Sequence, residues 1–429
     1  MTLSRSVTIN TLAQYISRFL TILSSILTTY LLSRSLGQAG YGQFGVITTT
    51  ILFFVTISDW GTQAISVREA SRNSEKQQEI FASVAGLKLF LGCFTTLVYV
   101  IFVSFYPNFA NFRLAALIGS PIILLLSLRT AGLVVHQTYL RLYLPAISEV
   151  ANTLTFLTLI IIFLAQKHVL NLEFVLVAVT LGALVNCFFT IIPIFSSIKL
   201  KKFTLATVSL IVKESLPMGA FLVVFSVYNR VDTFILQAIK GNTATGVYTL
   251  SYKIHENLVL IAAYLMNSLY PLLSQNGKDT KRIFQKTFNL IFLAGSIVLV
   301  LGFIFSPLVI QILTGGRFAD SSSVLRILIF ATFISYLNHL TGYTLIAVGE
   351  QTISLIIGLL ALAINVSLNL LLIPLYSYYA AAAVTIITEG FVFLASITYL
   401  IKKHKLQVKP RLLPQTVYYL IYDRSKLFI

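Results

Sequence analysis

The sequence is poor in charged residues, which make up 10% of its 429 positions, and it has only two cysteines. Cys93 and Cys187 lie in apolar segments, where a free cysteine behaves as a small hydrophobic side chain, and their spacing gives no metal site. Five histidines form no ligand set, and the sequence has neither a phosphate-binding loop nor a dinucleotide fingerprint. We therefore expect no cofactor, no metal and no soluble catalytic chemistry.

Long apolar runs dominate instead, since hydrophobic residues account for 57% of the chain. Stretches of about 20 apolar residues recur, and this is the length that a helix needs to cross the hydrocarbon of a bilayer. Runs bounded by charge, glycine or proline predict about twelve membrane-spanning helices in an all-α polytopic membrane protein. The first run is expected to be a retained span. The approximate limits are 8–33, 43–65, 81–106, 113–135, 146–165, 172–197, 216–239, 245–273, 284–306, 323–348, 352–374 and 378–401.

Acidic residues are scarce, because 14 Asp and Glu stand against 31 Lys and Arg. The excess of cations does not indicate a nucleic-acid partner, since the cations lie in short links between the apolar runs and form no single arm or face. With the N-terminus inside, 21 cations fall at cytoplasmic ends and six on the opposite side. This asymmetry predicts two cytoplasmic termini and contact with the anionic lipids of the inner leaflet.

A similar glycine-rich turn occurs twice in the sequence, as "SLGQAGYGQF" at 35–44 and as "IKGNTATGVY" at 239–248. Each copy is expected to close the outer hairpin between the first two spans of a six-span half. Because six spans return the chain to its starting side, the halves are expected to be parallel repeats. Three positions match at an offset of 204: Gly37 with Gly241, Gly42 with Gly246, and Phe44 with Tyr248.

The longest inner link separates the two halves, and its basic ends with an apolar middle predict an amphipathic segment on the membrane surface. These observations predict four regions. They are an N-terminal six-helix lobe at 1–198, a linker at 199–215, a C-terminal six-helix lobe at 216–401 and a basic cytoplasmic tail at 402–429.

Polar side chains inside the spans mark the candidate site, because such groups are costly in hydrocarbon and face a polar cavity or a partner. The first span carries them at three- and four-residue intervals, which places them on one helical face. Span seven repeats the pattern around Arg230, and span eight adds aromatic and charged residues. Structural pairing is an open alternative, with Lys253 on Glu256, or Arg230 on Asp232 or Glu256. The stripe of span one consists of Asn10, Gln14, Ser17, Arg18, Thr21, Ser25 and Thr28.

Glu389 is isolated midway along span twelve, with no cation near it in the sequence. It is expected to be protonated, paired across helices or facing water, and Asn338 and His339 are candidate neighbours. Lys88 and Arg129 lie near the predicted cytoplasmic boundary, where they are expected to snorkel towards the headgroups. An interfacial role is expected for Asp59, which stands beside Trp60.

Three stretches, "RSLGQAGYGQFGV", "SDWG" and "SLPMGAF…NRVDTFIL…GNTATGVYTLSYKI", resemble the Wzx-type oligosaccharide flippases of bacterial polysaccharide biosynthesis. Their superfamily also holds the multidrug and toxic-compound extrusion transporters and the lipid II flippase. The resemblance implies two six-helix lobes around a central cavity. It also implies that undecaprenyl-diphosphate-linked repeat units of O-antigen, capsule or exopolysaccharide cross the bacterial inner membrane by alternating access. Implied partners are H⁺ or Na⁺, a polysaccharide polymerase and a chain-length regulator.

Site roles follow from joining this resemblance to the polar residues. Cations are expected to hold the diphosphate, polar and aromatic groups the sugar, and buried acids the coupling ion. A cation-coupled drug antiporter on the same fold remains an alternative, as does a pathway enzyme such as a polymerase or ligase. The predicted substrate-binding residues are Arg18, Arg230, Lys253, Gln14, Asn229, Tyr252 and Glu256, and the predicted ion-coupling residues are Glu389 and Asp232.

Overall fold

The computed structural model describes residues 3–195, 203–273, 280–406 and 408, and the regular structure in that part of the chain is entirely helical. Within these described residues, nine stretches are long and apolar enough to cross a membrane, which confirms the all-α polytopic prediction. The α-helices are α1 (Leu3–Asp59), α2 (Thr62–Arg72), α3 (Gln77–Phe105), α4 (Arg113–Ile118), α5 (Pro121–Thr138), α6 (Tyr143–Ala165), α7 (Leu172–Phe195), α8 (Leu205–Tyr228), α9 (Val231–Leu273), α10 (Thr280–Thr314), α11 (Ala319–Ala347) and α12 (Gln351–His404).

Three of these helices are each divided by a single residue with non-helical backbone angles. The breaks are Gly37 in α1 (φ 66°, ψ −174°), Gly241 in α9 (φ 77°, ψ −174°) and Ser377 in α12 (φ 54°, ψ −136°). The first two are the matched glycines of the repeated turn, and their backbone conformation is one that essentially only glycine adopts. The repeated motif therefore builds the same break twice. The number of spans, twelve, stays a prediction.

The chain divides into two compact units, Met1–Val227 and Tyr228–Ile429. Nearly all of α8 belongs to the first unit, so this division falls later than the lobe boundary expected at residue 216. Much of the predicted linker, from Leu205 onwards, is the beginning of α8. Residues 196–198 of the predicted N-terminal lobe, residues 199–202 of the predicted linker, and the predicted tail at 407 and from 409 onwards lie outside the described residues.

Each unit has its own helix packing. In the first, α3 packs on α5, α7 packs on both α5 and α6, and α1 packs on α6. In the second, α11 lies at the centre and contacts α9, α10 and α12. Large apolar side chains remain exposed on the outer faces, such as Phe105 at 81% and Leu371 at 67%, as expected where lipid replaces a protein neighbour.

Lys88 is fully buried in the first unit, so the prediction that it snorkels is wrong. Its Nζ lies 2.6 Å from Asp59 Oδ1 and 3.3 Å from the Asp59 carbonyl oxygen. Two serines extend the contact, since Ser127 Oγ donates to the Lys88 carbonyl at 2.7 Å and Ser58 Oγ donates to Ser127 Oγ at 2.8 Å. An ammonium buried among helices needs a partner, and Asp59 supplies it.

A left-handed turn at Trp60 (φ 45°) and Gly61 (φ 71°) joins α1 to α2 and packs against α8. A Cβ atom at Gly61 would come within 2.6 Å of Met218 Cγ, and one at Gly219 would come within 2.5 Å of the Trp60 ring. The turn and α8 therefore meet with no room for an added methyl group. Around this contact, Arg68 of α2 forms an ion pair with Glu214.

Candidate functional site

Some polar residues on one face of α1 pack against neighbouring parts of the chain, and others on the same face are exposed. Asn10 Nδ2 donates to the Leu140 carbonyl at 2.6 Å, and Ser17 Oγ donates to the Ala146 carbonyl at 2.9 Å. Asn10 and Ser17 are buried, so the prediction that they line a cavity is wrong. They fix α1 against the start of α6 because a buried polar group needs a hydrogen-bond partner. Gln14 is exposed and Arg18 is half-buried.

The predicted residues of the link between α8 and α9 and of α9 itself come together in the second unit. Arg230 Nη2 lies 2.6 Å from Glu256 Oε1, and the two side chains are 26% and 27% exposed. The Arg230 guanidinium stands 5.8 Å from the centroid of the Tyr252 ring, whose hydroxyl donates to the Asn229 carbonyl at 3.1 Å. The structural alternative that pairs Arg230 with Glu256 is therefore confirmed. Lys253 is exposed, and no ion pair joins it to Glu256 in the described part of the chain.

Asp232 is buried in the first turn of α9, close to the Arg230 cluster in sequence but with different partners. Its carboxylate accepts the Thr233 backbone N–H at 2.6 Å and a hydrogen bond from the Tyr248 hydroxyl. The same hydroxyl lies 3.4 Å from Thr385 Oγ1 on α12. Tyr248, one of the matched positions of the repeated turn, thus binds the buried acid of its own helix and contacts α12 through the same hydroxyl.

Glu389, one turn beyond Thr385 on α12, is held by neutral donors. Ser335 Oγ and Asn338 Nδ2 each donate to its Oε2 at 2.8 Å, and the Tyr228 hydroxyl donates to Oε1 at 3.2 Å. The prediction that Asn338 is a neighbour of Glu389 is confirmed. His339 Nδ1 lies 2.8 Å from the Ser335 carbonyl oxygen. Three neutral donors thus satisfy both oxygens of this carboxyl group without a cation.

A second charged cluster, which sequence analysis missed, joins α5, α6 and α7 of the first unit. Arg129 Nη2 lies 2.9 Å from Glu149 Oε2, and Arg129 Nε donates to Asn186 Oδ1 at 2.9 Å. Asn186 Nδ2 closes the group by donating to Glu149 Oε2 at 3.2 Å. The prediction that Arg129 snorkels is wrong, because its side chain turns towards these partners. Glu149 was overlooked because it lies close to the predicted start of a span, although it is an acid within the apolar run "AISEVANTL".

These helices, with paired charges held inside them, define a polytopic all-α membrane protein that carries polar sites within its membrane-spanning length. Residues 3–277 match the family of polysaccharide biosynthesis proteins, and the chain belongs to that family. Residues 217–371 also match the MatE family. Within the described residues, no group of His, Cys, Asp and Glu side chains is placed to hold a metal ion.

Two curated relatives share part of the chain. The capsular polysaccharide biosynthesis protein CapF of Staphylococcus aureus is 26% identical over 199 residues, which are 44% of this chain and 49% of CapF. A putative O-antigen transporter of Shigella flexneri is 26% identical over 154 residues, which are 35% of this chain and 37% of that protein. The matches thus span about half or less of these relatives.

Solved structures resemble the whole fold. The lipid II flippase MurJ in an inward closed conformation superposes with a TM-score of 0.78 at 13% identity, over 97% of each chain. A multidrug resistance MATE family transporter in an inward-facing conformation gives a TM-score of 0.70 at 16% identity, over 91% of this chain and 96% of that one. At these identities the likeness concerns the fold alone.

Proposed function

We propose that the protein is a flippase that moves undecaprenyl-diphosphate-linked oligosaccharide repeat units across the bacterial inner membrane for surface polysaccharide synthesis. The observation that carries the proposal is membership of the polysaccharide biosynthesis family over residues 3–277. The names of the two relatives support it, as does the likeness to transporter folds. The protein acts by alternating access and is a transporter, not an enzyme. A polysaccharide polymerase and a chain-length regulator are its proposed partners.

In this proposal Arg18 and Arg230 each bind the substrate's diphosphate. Arg18 is half-buried on α1, and the Arg230 side chain is 26% exposed beside Glu256. A planar guanidinium offers paired donors to phosphate oxygens, which the lysine ammonium does not reproduce. The supporting substrate-binding residues are Lys253, Gln14, Asn229, Tyr252 and Glu256.

Transport is coupled to H⁺ or Na⁺ through Glu389 and Asp232. Both are carboxyl groups inside helices with neutral hydrogen-bond donors around them, so each can exchange a cation or a proton without breaking an ion pair. The match to the MatE family favours a second candidate function, the export of small organic cations. Drug susceptibility of a strain that overproduces the protein tests this candidate.

Complementation of a strain that lacks its own flippase tests the proposed function, with protein levels measured in every variant. The unaltered protein is expected to restore surface polysaccharide, Arg18→Lys to impair restoration, and Arg18→Ala and Arg230→Ala to abolish it. Arg72→Ala, on an exposed arginine, serves as the control and is expected to behave as the unaltered protein. Failure of the unaltered protein refutes the function, whereas full restoration by both alanine variants refutes only the arginine roles.

Both termini are proposed to be cytoplasmic, because cations are concentrated at the ends of spans on that side. Reporter fusions after Leu200 and after Lys402 test this orientation. Either fusion reporting an external position contradicts it.

A further inference from the structure

We propose that Arg129, Glu149 and Asn186 form a subsite in the first unit that binds hydroxyl groups of the glycan, separate from the groups that hold the diphosphate. The proposal rests on the proposed function and adds to it the part of the substrate that this unit recognises. It starts from the geometry of the three side chains, which meet within 2.9 to 3.2 Å of one another.

Hydrogen bonding within the cluster is uneven. Glu149 Oε2 accepts hydrogen bonds from both Arg129 and Asn186, whereas no described residue donates to Glu149 Oε1. Asn186 is 1% exposed and fixes the other two side chains. The Glu149 side chain is 40% exposed and that of Arg129 is 20% exposed. A pair whose only role is to hold helices together gains nothing from leaving a carboxylate oxygen open in this way.

The position of the cluster along its helices argues against contact with headgroups as the reason for this exposure. Arg129 precedes the end of α5 at Thr138, and Asn186 precedes the end of α7 at Phe195, by about 13 Å of helix each. Glu149 follows the start of α6 at Tyr143 by about 9 Å. A charged group exposed at this depth is too costly to face lipid, so it faces water or a polar ligand.

The charge of the cluster selects the chemistry of that ligand. The cluster is neutral overall, whereas the Arg230 pair has Lys253 nearby in sequence as a second cation. Because the open Glu149 oxygen also repels phosphate, the diphosphate does not belong here. A carboxylate acceptor beside a guanidinium donor suits adjacent hydroxyls of a sugar ring, one donating to the carboxylate and the next accepting from the guanidinium. The Ser17 contact with Ala146 holds α1, the helix that carries Arg18, against the beginning of α6. One substrate can then present its sugar to the cluster and its diphosphate to α1.

Binding to the full chain in lipid nanodiscs tests the subsite with two probes: undecaprenyl diphosphate carrying its repeat unit, and undecaprenyl diphosphate without sugar. The unaltered protein is expected to prefer the sugar-bearing probe. Glu149→Gln is expected to weaken binding of that probe about tenfold or more, which corresponds to the loss of a charge-assisted hydrogen bond, and to leave the sugarless probe unaffected. Glu173→Gln, on α7 of the same unit, is the matched control and is expected to change neither.

A second variant controls for misfolding of Glu149→Gln, because removing one member of an ion pair can leave the other charge uncompensated. Arg129→Gln with Glu149→Gln removes both charges and is expected to fold and to show the same selective loss. Equal affinities of the unaltered protein for the two probes, or equal losses for both probes in Glu149→Gln, overturn the subsite while complementation still supports the flippase. If the unaltered protein binds neither probe and does not complement, the proposed function fails as well.

Discussion

Gly37 and Gly241 hold the same backbone conformation at positions 204 residues apart, with φ of 66° and 77° and ψ of −174° at both. Each divides a long helix of its own unit. A Cβ atom at either position would have nothing within 4 Å, so the glycine is required by the backbone angles and not by a close neighbour. The two turns are thus equivalent in conformation and in their reason for being glycine.

Replacing either glycine by alanine is expected to destabilise the protein through the backbone alone. Gly37→Ala and Gly241→Ala place a side chain at a conformation that costs on the order of 1–3 kcal/mol. Thermal unfolding in detergent measures the loss. Gly358→Ala is the control, because this glycine is helical and also has open space around its Cβ position, so alanine is expected to be neutral or stabilising there. Equal behaviour of all three variants contradicts the prediction.

Loss of the partner of Lys88 is expected to be more damaging than loss of the whole pair. Asp59→Asn leaves a fully buried ammonium without its carboxylate, at a cost of about 3–5 kcal/mol. Adding Lys88→Met removes the buried charge and is expected to recover most of that stability. Unfolding temperatures of the single and double variants decide the question, and a double variant no more stable than Asp59→Asn is the contrary result.

Glu389→Gln is expected to separate folding from coupling. The amide oxygen can take the place of Oε2 and accept from Ser335 and Asn338, and the amide NH2 then faces the Tyr228 hydroxyl, which can rotate to accept from it. The unfolding temperature and substrate binding are therefore retained, while the site can no longer gain or lose a proton. Flipping in proteoliposomes with an imposed proton or sodium gradient is expected to lose its dependence on the gradient. Ser335→Ala, which keeps the carboxylate, is the comparison and should still respond. Unchanged stimulation of Glu389→Gln by either gradient removes the residue from the mechanism.

Acid is expected to loosen the link between the end of α12 and the α11–α12 loop. Hydrogen bonds from Lys403 and Tyr399 lower the pKa of Glu350 to about 2, from an ordinary 4.5. Because the folded-state pKa is depressed, this contribution to stability is complete above pH 4.5 and is lost as the pH falls towards 2. The difference in unfolding temperature between the unaltered protein and Glu350→Gln should therefore shrink over that window. Glu75→Gln, on an exposed glutamate, should give no such trend.

The helices, the breaks within them and one contact between polar residues were predictable from the sequence. Apolar length gave the helices, and matched spacing located the breaks at Gly37 and Gly241. Asn338 was identified as a neighbour of Glu389 because both are polar groups near the middle of apolar spans. Such features depend on lengths and local angles, which a sequence displays directly.

Contacts between helices distant in sequence were not predictable. The polar face of α1 was visible, but its periodicity cannot tell that Asn10 and Ser17 face the start of α6 and the link before it while Gln14 is exposed. Lys88 and Arg129 were assigned to the headgroups because their carboxylate partners lie on other helices. Pairing of charges between helices depends on how each helix is rotated about its axis and on the depth of each residue in the membrane. The sequence of a single span determines neither.

Because the Trp60 ring lies in close contact with Gly219, the side-chain volume tolerated at either position depends on the residue at the other. Any side chain at 219 meets the indole ring, and the left-handed angles of Trp60 and Gly61 limit how far the turn can retreat. A damaging Gly219→Ala change should therefore be suppressed by a smaller residue at 60, and a genetic screen for suppressors should return substitutions at that position.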